Sequence, residues 1–535
     1  MNIIRIGGGS AEEINPDIVG AKAANLARMA ALGLPVPPAF VLPIELGAAI
    51  ARGEAGAKQK VADGLSEGIE FLEQATGRLY GDRRQPLLVS VRSGAARSMP
   101  GMLDTVLDVG GTPEAIRGLV RMTGNPAFAH DCRCRFLESF GSAVLGIDAG
   151  AFAERHDAFV AAEGVGAGQA FDCEALERLA ASYETLIERE DDAVADDPME
   201  QLIAAAEAVY RSWGSDRART YRRIEHLEYL QGTAVTVQAM VFGNSGATSG
   251  AGVAFSRNPS TGAAEPVIDV LFESQGEDVV SGRRNPQTEE AIARSLPAVA
   301  AQLRAALKLL ERELGDVQDV EFTIENGTLW FLQTRSAKRT AQAAVRFAID
   351  FVEEGRISPA QALQRLDGVD LGRLVRERLT GVDVPAARGT GASVGIAIGR
   401  AAFDADSAAR LAKSGDPVIL VRPNISTADV AGFAVSAGIV TAVGGRTAHA
   451  ALVARQMGKP CVVGCGELGV DTVHGNCRIG GNAVNEGDWL SIDGGAGTVH
   501  IGRGEIVCDR AELELGEIAR WSARAAVPGA KSDAA

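Results

Sequence analysis

Residues 444–464, GGRTAHAALVARQMGKPCVVG, constrain the fold of this chain more than any other segment. The glycine pair at its start allows backbone conformations that other residues avoid, so it predicts a sharp turn. A helix should follow, with Thr447 as its N-cap and with Gly458 and Pro460 as its stop. We therefore expect His449 in the first turn of this helix, where free N–H groups and the helix dipole favour negative charge.

His449 is open to two interpretations from its position alone. A lone histidine at a helix start is commonly a residue that caps or packs. A neutral imidazole there also suits a nucleophile that attacks phosphorus and then holds the phosphoryl group. The surrounding sequence TAHAALVARQMGKP resembles the phosphohistidine motif of the pyruvate phosphate dikinase and phosphoenolpyruvate synthase family. That resemblance implies that His449 is the catalytic residue and carries phosphate between two distant active sites.

Composition excludes several classes of partner. The 535 residues carry a formal net charge of −16, which argues against nucleic acid or an anionic membrane as a partner. The seven cysteines form no CxxC pair, so neither a zinc site nor a redox dithiol is indicated. The first residues lack the apolar core of a signal peptide, and no uncharged run is long enough to span a bilayer. A cytoplasmic enzyme of two to four domains is expected.

Two N-terminal segments carry cations that suit phosphate. Lys22 lies in GAKAANLARMAALGLPVPPAF and, from the residues alone, is equally an exposed lysine at a helix start. Arg92 and Arg97 follow a short apolar strand and offer planar, bidentate donors, although a structural pairing with Asp104 is the alternative. Both segments resemble the dikinase pattern. The resemblance implies that Lys22 and Arg92 bind ATP phosphates.

A glycine-rich loop follows the strand predicted at 233–242. Its sequence, GNSGATSGAGVAFSRNPSTG, lets the backbone approach a ligand, and Thr248 and Ser249 supply hydroxyl groups. Such a loop alone is equally a plain hairpin turn, and the chain has no Walker A pattern. The resemblance implies an ATP-grasp phosphate lid, and it adds Gln275 and Glu277 as weaker candidates for nucleotide contact.

Residues 319–335, DVEFTIENGTLWFLQTR, alternate in polarity and predict a hairpin. A two-residue turn at Asn326 and Gly327 would place Glu321 and Gln333 on opposite faces. A three-residue loop, 325–327, would bring all odd positions together and separates polar from apolar residues more cleanly, so we predict it. The polar face then carries Asp319, Glu321, Gln333 and Arg335, and the apolar face carries Val320, Phe322, Ile324, Trp330 and Leu332.

The polar face of this hairpin has two interpretations. Carboxylate and amide oxygens suit Mg²⁺, which takes few protein ligands and leaves the remaining positions to water and phosphate. A solvated polar face is the alternative. In the family this hairpin holds the metal, so the resemblance implies Asp319, Glu321 and Gln333 as Mg²⁺ ligands and Arg335 as an ATP-binding residue.

The resemblance covers residues from about 15 to 505 and implies a multidomain α/β (α+β) fold. The expected parts are an ATP-grasp nucleotide-binding domain with a helical insertion, a helical linker, a swivelling β/β/α phosphohistidine domain, and a C-terminal helix with a tail. Their expected bounds are 1–340 with the insertion at about 111–200, then 341–385, 386–505 and 506–535. In the family a TIM barrel that binds pyruvate and phosphoenolpyruvate follows. Such a barrel needs at least about 200 residues, and only 33 follow Gly502, so we expect no acceptor site here.

The implied activity is an ATP-dependent phosphotransferase with ATP as substrate. ATP phosphorylates His449 and AMP leaves, phosphate or water takes the terminal phosphate, and an acceptor receives the phosphoryl group. The acceptor is pyruvate on a separate phosphoenolpyruvate/pyruvate-binding chain or another small molecule, and a homodimer is one expected assembly. The alternative is a non-catalytic, ATP-binding regulatory paralogue. One departure lies beside the nucleophile, where Ala448 replaces the Ser or Cys that is usual in the family.

Overall fold

Two compact units make up the chain in the computed structural model. The first comprises residues 1–250 and 322–334, and the second comprises residues 251–321 and 335–535. The structure describes residues 3–8, 14–97, 99, 102–164, 171–190, 192–281, 284–373, 375–424, 429–446, 448–471 and 475–525. Within these ranges no helix is long and apolar enough to cross a membrane. The multidomain mixture of helices and sheets agrees with the predicted fold class.

The first unit is built on an antiparallel sheet with the strand order β1-β2-β7-β5-β6. Its central strand β7, within the strand predicted at 233–242, is buried on both faces. The strands are β1 Ile4–Ile6, β2 Ala39–Leu42, β3 Leu79–Tyr80, β4 Pro86–Leu87, β5 Val89–Gly94, β6 Thr105–Val109 and β7 Ala234–Ala239. The helices are α1 Pro16–Ala31, α2 Ile44–Ala51, α3 Ala57–Thr76, α4 Pro113–Thr123, α5 Pro126–Phe140, α6 Ala149–Glu163, α7 Cys173–Arg189, α8 Pro198–Ser212 and α9 Asp216–Ile224.

The described part of residues 111–200 contains α4 to α7 and the start of α8. That these helices are an insertion in an ATP-grasp domain stays a prediction. The helices start where the sequence provides side-chain caps. Thr112, Asn125 and Asp172 each accept a hydrogen bond from a backbone N–H in the first turn of the helix that follows. The helices pack on the sheet through large buried side chains, among them Phe136 and Phe152.

The second unit contains a four-stranded sheet of order β11-β10-β8-β9 and an eight-stranded sheet of order β13-β23-β22-β15-β16-β17-β18-β14. The tips of β10 and β11, residues 322–334, are assigned to the first unit. The strands are β8 Gly250–Phe255, β9 Val267–Phe272, β10 Gln318–Glu325, β11 Thr328–Ser336, β12 Val375–Thr380, β13 Ala387–Arg388, β14 Thr390–Ser393, β15 Ile396–Ala402, β16 Val418–Arg422, β17 Gly438–Thr441, β18 Cys461–Val463, β19 Leu468–Asp471, β20 Asn476–Ile479, β21 Asn482–Asn485, β22 Trp489–Asp493, β23 Thr498–Ile501 and β24 Glu505–Arg510. The helices are α10 Gly276–Ser281, α11 Glu289–Ser295, α12 Pro297–Leu314, α13 Ala341–Glu353, α14 Pro359–Arg365, α15 Ala405–Lys413, α16 Val430–Val435, α17 His449–Met457 and α18 Glu512–Ala525.

The centre of the eight-stranded sheet is parallel. Strands β15, β16, β17 and β18 are neighbours that run in one direction, and α15, α16 and α17 connect them in turn. Residues 486–502, EGDWLSIDGGAGTVHIG, predict a β-hairpin from the sequence alone, and β22 and β23 form it. In parallel sheets the helices begin at the carboxyl edge of the strands, which is where ligands bind. The helix α17, which follows β17, starts at that edge.

The sequence did not predict the two-stranded ribbon that β12 and β24 form. β12 lies in the predicted helical linker 341–385 and pairs antiparallel with β24, from Val375 opposite Arg510 to Thr380 opposite Glu505. The chain thus enters and leaves the eight-stranded sheet through adjacent strands. Strand pairing over this sequence separation leaves no local signal, because each strand alone has an ordinary mixed composition.

Candidate active site

His449 is the first residue of α17, so its predicted place in the first helical turn is confirmed. The N-cap position is Ala448, one residue later than predicted, and Thr447 lies outside the described residues. Only the backbone of His449 belongs to the described part. The helix ends at Gly458 with φ 63°, as the Gly-x-Pro stop predicted. The preceding strand β17 ends at Thr441, so His449 stands at the carboxyl edge of the parallel strands.

The turn before α17 uses its two glycines differently. Gly444 has φ 119°, a conformation that side chains disfavour. Gly445 does not have a positive φ. The expectation that both glycines adopt backbone conformations that other residues avoid was therefore wrong for Gly445. An added Cβ at Gly445 would instead lie 2.2 Å from Pro286 Cγ and 2.6 Å from Asp269 Oδ2. Close packing is what keeps this position small.

In the first unit, the chain around Lys22 meets the end of the strand that carries Arg92. The backbone N–H of Ala21 donates to Ala95 O at 2.8 Å, and α1 is kinked at Gly20, whose φ is 81°. A Cβ on Gly20 would stand 2.2 Å from Gly94 O, so only glycine permits this approach. Lys22 follows two residues after the kink and is half-buried.

Arg92 is half-buried on β5. Its Nη1 donates to Gln238 Oε1 at 3.4 Å, on the neighbouring strand β7. Asp104, the alternative structural partner considered for the arginines of this segment, is paired with Arg217. The structure thus brings the segments of two predicted phosphate-binding cations together in one unit. Their contact with ATP stays a prediction.

The glycine-rich loop joins β7 to β8, and its end is attached to the tip of the β10–β11 hairpin. Ser249 is fully buried, and its Oγ accepts from Asn326 N at 2.9 Å and lies 2.8 Å from Ser245 Oγ. Gly327 N donates to Thr248 O at 3.0 Å. The hydroxyl of Ser249 is therefore already engaged within the protein, whereas Thr248 is exposed. Nucleotide contact by either residue stays a prediction.

Gln275 and Glu277 flank the start of α10 in the second unit. Gln275 is buried and its N–H donates to Asp278 Oδ2 at 2.9 Å, while Glu277 is exposed in the first helical turn. An acidic first turn stabilises the helix start through the dipole, which is a structural role. Their assignment to the nucleotide stays a prediction.

The hairpin closes with a two-residue turn, so the predicted three-residue loop was wrong. Asn326 and Gly327 have φ 48° and 77°, the left-handed pair that a type I′ turn requires. In β11 the buried apolar residues are consequently Leu329 and Phe331 rather than Trp330 and Leu332, which are half-buried. The buried apolar residues of β10 are as predicted, Val320, Phe322 and Ile324, although the polar residues Gln318, Asp319 and Thr323 are buried too.

At the open end of the hairpin the register shifts by one residue. A regular ladder from this turn would set Val317 opposite Ser336, yet Ala337 N donates to Val317 O at 2.8 Å. Arg335 Nε correspondingly donates to Asp319 Oδ2 at 2.8 Å, which confirms that these two side chains share a face. A β-bulge has this effect. The common face of Glu321 and Gln333 stays a prediction.

Asp319 is the residue of this hairpin whose burial and hydrogen bonding best fit a ligand-binding role. It is 3% exposed, and burial raises the pKa of its carboxyl group although Arg335 opposes the shift. Its Oδ1 is buried and has no hydrogen-bond partner, which is costly for a carboxylate oxygen. A buried, unpaired oxygen beside Glu321 fits a hard cation such as Mg²⁺, whose ligands are carboxylate, amide and water oxygens. Among the described residues no cluster of three or more His, Cys, Asp or Glu side chains could hold a metal.

Sequence reasoning missed Arg455, on α17. This residue is 3% exposed, donates Nη1 to Ala392 O at 2.9 Å, and lies 5.6 Å from the ring centre of Phe255. Its Nε and Nη2 have no hydrogen-bond partner. Burial lowers the pKa of Arg455 to about 10, and the negative charges of Asp319 and Asp269 partly oppose this shift. The sequence gives no signal for this role, because nothing local reveals what α17 packs against.

Comparisons with known proteins match two successive regions of the chain, the first of which spans both units. The family model "Pyruvate phosphate dikinase, AMP/ATP-binding domain" matches residues 55–303 and 289–355, and "PEP-utilising enzyme, mobile domain" matches residues 414–497. From here on, residues 387–501 of the eight-stranded sheet are called the mobile domain.

Full-length relatives agree with these family matches. The pyruvate, phosphate dikinase of Clostridium symbiosum is 40% identical over 492 residues, which is 91% of this chain and 56% of that protein. Pyruvate, phosphate dikinase 2 of Zea mays is 40% identical over 514 residues, 94% of this chain and 58% of the relative. The enzyme of Rhizobium meliloti is 40% identical over 541 residues, 96% and 59% respectively. This chain spans about half the length of the curated relatives it matches. It belongs to the pyruvate phosphate dikinase family.

Proposed function

We propose that this chain is an ATP-dependent phosphotransferase in which His449 becomes phosphorylated. The observation that carries the proposal is the position of His449 as the first residue of α17, at the carboxyl edge of the parallel strands. A phosphoryl group attached there meets free backbone N–H groups and the positive end of the helix dipole. The mobile-domain match at 414–497 supports the same assignment.

The proposed reaction begins with attack by a neutral ring nitrogen of His449 on the β-phosphorus of ATP. A nitrogen–phosphorus bond forms, the bond between the β-phosphorus and the oxygen that bridges it to the α-phosphorus breaks, and AMP leaves with that oxygen. The terminal phosphate then passes to inorganic phosphate or water, and phosphohistidine remains. An acceptor, pyruvate or another small molecule, finally takes the phosphoryl group and regenerates the neutral imidazole.

Lys22, Arg92 and Arg335 are the cations that we assign to the ATP phosphates. Their role is to offset the negative charge on the phosphoryl oxygens in the transition state, which supplies most of the rate in phosphoryl transfer. Asp319, Glu321 and Gln333 would hold Mg²⁺, which neutralises charge on the phosphates. Thr248, Ser249, Gln275 and Glu277 complete the proposed nucleotide set.

The test is labelling with ATP that carries ³²P at the β-phosphate, in the presence of Mg²⁺. The chain should acquire an acid-labile, base-stable label, and His449→Ala should abolish it with ATP affinity nearly unchanged. His156→Ala is the matched control, because His156 lies on α6 in the helical insertion and should leave the label intact. Persistent labelling of His449→Ala would rule out this nucleophile. ATP binding with no labelling of the wild type would favour the regulatory paralogue.

A further inference from the structure

The mobile domain lies against the nucleotide-side part of the second unit, residues 251–321 and 335–353, through several polar contacts. Gly444 N donates to Asn285 Oδ1 at 3.0 Å, and Ser260 Oγ donates to Ala392 O at 2.9 Å. At the far end of α17, Lys338 Nζ lies 3.2 Å from Gln456 Oε1. The first of these contacts holds the glycine turn that leads directly into His449.

Gly445 shows which atoms the turn meets in this arrangement. The three atoms nearest to an added Cβ at this position are Pro286 Cγ at 2.2 Å, Asp269 Oδ2 at 2.6 Å and Pro286 Cδ at 3.0 Å. All three belong to the nucleotide-side part, and none belongs to the mobile domain. Real Cβ atoms essentially never approach other atoms below 3.0 Å, so with an alanine here Pro286, Asp269 or the turn itself must shift, which disfavours this docked arrangement.

Gly444 and Gly445 are therefore required to be glycine for different reasons. Gly444 needs glycine because of its own φ of 119°. Gly445 has no such backbone requirement, so its missing side chain matters only while the mobile domain is docked. Gly445 therefore identifies the surface of the nucleotide-side part against which the mobile domain docks.

We propose that Asp269, Asn285 and Pro286 form a docking seat for the Gly444–Gly445 turn and thereby position His449 for phosphoryl transfer from ATP. Asn285 holds the turn by a hydrogen bond, and Pro286 and Asp269 leave room for a glycine only. These are positioning residues, since they touch the turn and not the reacting atoms. The positioning of His449 for phosphoryl transfer rests on the proposed function. The docking of the turn against these three residues does not depend on it.

Cross-linking measures the seat without any chemistry at His449. Cysteines at Lys338 and Gln456 are joined by a short bis-maleimide, in the full chain with Cys173 and Cys508 replaced by serine because the other five cysteines are buried. The rate of cross-linking reports the docked population. Gly445→Ala should slow it at least about fivefold, since overpacking of this kind is strongly disfavoured.

Matched variants separate the seat from general damage. Gly466→Ala adds the same methyl group to the mobile domain at an exposed position where nothing lies within 4 Å, so its rate should equal the wild type. Pro286→Ala combined with Gly445→Ala should recover part of the lost rate, because the ring atoms at 2.2 and 3.0 Å are gone and the remaining close atom, Asp269 Oδ2 at 2.6 Å, ends a side chain that can rotate. Asn285→Ala leaves the mobile domain unaltered and should slow cross-linking about threefold by loss of one hydrogen bond.

Two outcomes would contradict the proposed docking seat. One is wild-type cross-linking by Gly445→Ala, and the other is no recovery when Pro286→Ala is added. If Gly445→Ala does not fold, which circular dichroism reports, Asn285→Ala decides, and an unchanged rate in that variant rejects the proposal. Labelling from ATP is measured in parallel on the same variants. Failure of the wild type to be labelled would reject the proposed function while leaving the cross-linking result to judge the seat.

Discussion

Two buried arginines in the second unit have opposite surroundings. The Arg257 guanidinium donates to Glu311, Glu354 and Asp350, at 2.8 to 3.4 Å. Burial lowers the pKa of Arg257, but hydrogen bonds to Glu311 and Glu354 more than reverse that effect. Arg455 has a single hydrogen bond, to Ala392 O, and its Nε and Nη2 are unpaired. One cation is fully paired and the other is not.

The difference separates a contact within the nucleotide-side part from a contact with the mobile domain. Arg257, two residues after β8, pairs with Glu311 on α12 and Asp350 on α13. Arg455 lies where the mobile domain meets the nucleotide-side part, and its charge acts on Asp319 without a hydrogen bond between them. An incompletely paired contact is weaker and opens more readily. We therefore expect substitutions at the two arginines to differ most in the free energy of unfolding.

The largest effect is expected for Arg257→Ala. Removing this side chain leaves the buried carboxylates of Glu311 and Asp350 with only Arg356 and Arg346 as cations, which should cost about 3 kcal/mol, the low end for breaking a buried ion pair. Urea denaturation followed by circular dichroism measures the loss. Arg304→Ala is the control, because Arg304 pairs with Glu289 at an exposed position and should cost less than about 1 kcal/mol. Equal losses for the two variants would break the comparison.

Glu311→Gln should have an intermediate effect that depends on pH. Burial raises the pKa of Glu311, but hydrogen bonds from Arg257, Ser256 and Arg356 outweigh it and hold the folded pKa below the ordinary value of 4.5. A depressed folded pKa contributes stability above the unfolded pKa, and this contribution disappears as pH falls through the folded pKa. The wild type should exceed the variant by about 1–3 kcal/mol at neutral pH.

The control for this prediction is the pH series itself. Urea midpoints of wild type and Glu311→Gln should converge as pH falls through the folded pKa of Glu311, which lies below 4.5. A difference that stays constant down to pH 3 would mean that the charge of Glu311 contributes nothing.

The smallest effect is expected for Arg455→Met. Methionine fills a similar volume, and the loss of the bond to Ala392 O is offset because two unpaired buried N–H groups are removed as well. The free energy of unfolding should change by less than about 1 kcal/mol, measured beside Arg257→Ala under the same conditions. A loss as large as that of Arg257→Ala would show that Arg455 is paired more completely than its hydrogen bonds indicate.

The sequence predicted elements well wherever local signals agreed. The helix at His449, the closing hairpin at 486–502 and the helices of residues 111–200 all follow from caps, glycines and periodicity over a few residues. The hairpin tip shows how such signals conflict. Asn326-Gly327 is a strong two-residue turn signal, but the cleaner separation of faces favoured a three-residue loop. The register shift resolves the conflict, because it restores the pairing of Asp319 with Arg335 beyond a two-residue turn.

Contacts between distant segments could not be predicted from one sequence. Arg455 looks like a solvated helix residue, and Asn285 like an ordinary loop amide, until α17 and residues 285–286 are brought together. The same holds for β12 and β24, which are separated by more than a hundred residues. Which of two glycines is needed for its backbone and which for its surroundings is equally invisible to local pattern.

The β12–β24 ribbon has a practical consequence for protein engineering. Thr380 is paired directly with Glu505, so the segment 381–504 starts and finishes at neighbouring points of the chain. A segment with adjacent ends behaves as an insertable cassette, since its exchange leaves the connectivity of the host intact. The corresponding segment of a relative could be grafted at these two junctions, and chimaeras would then reveal which half of the molecule determines each property.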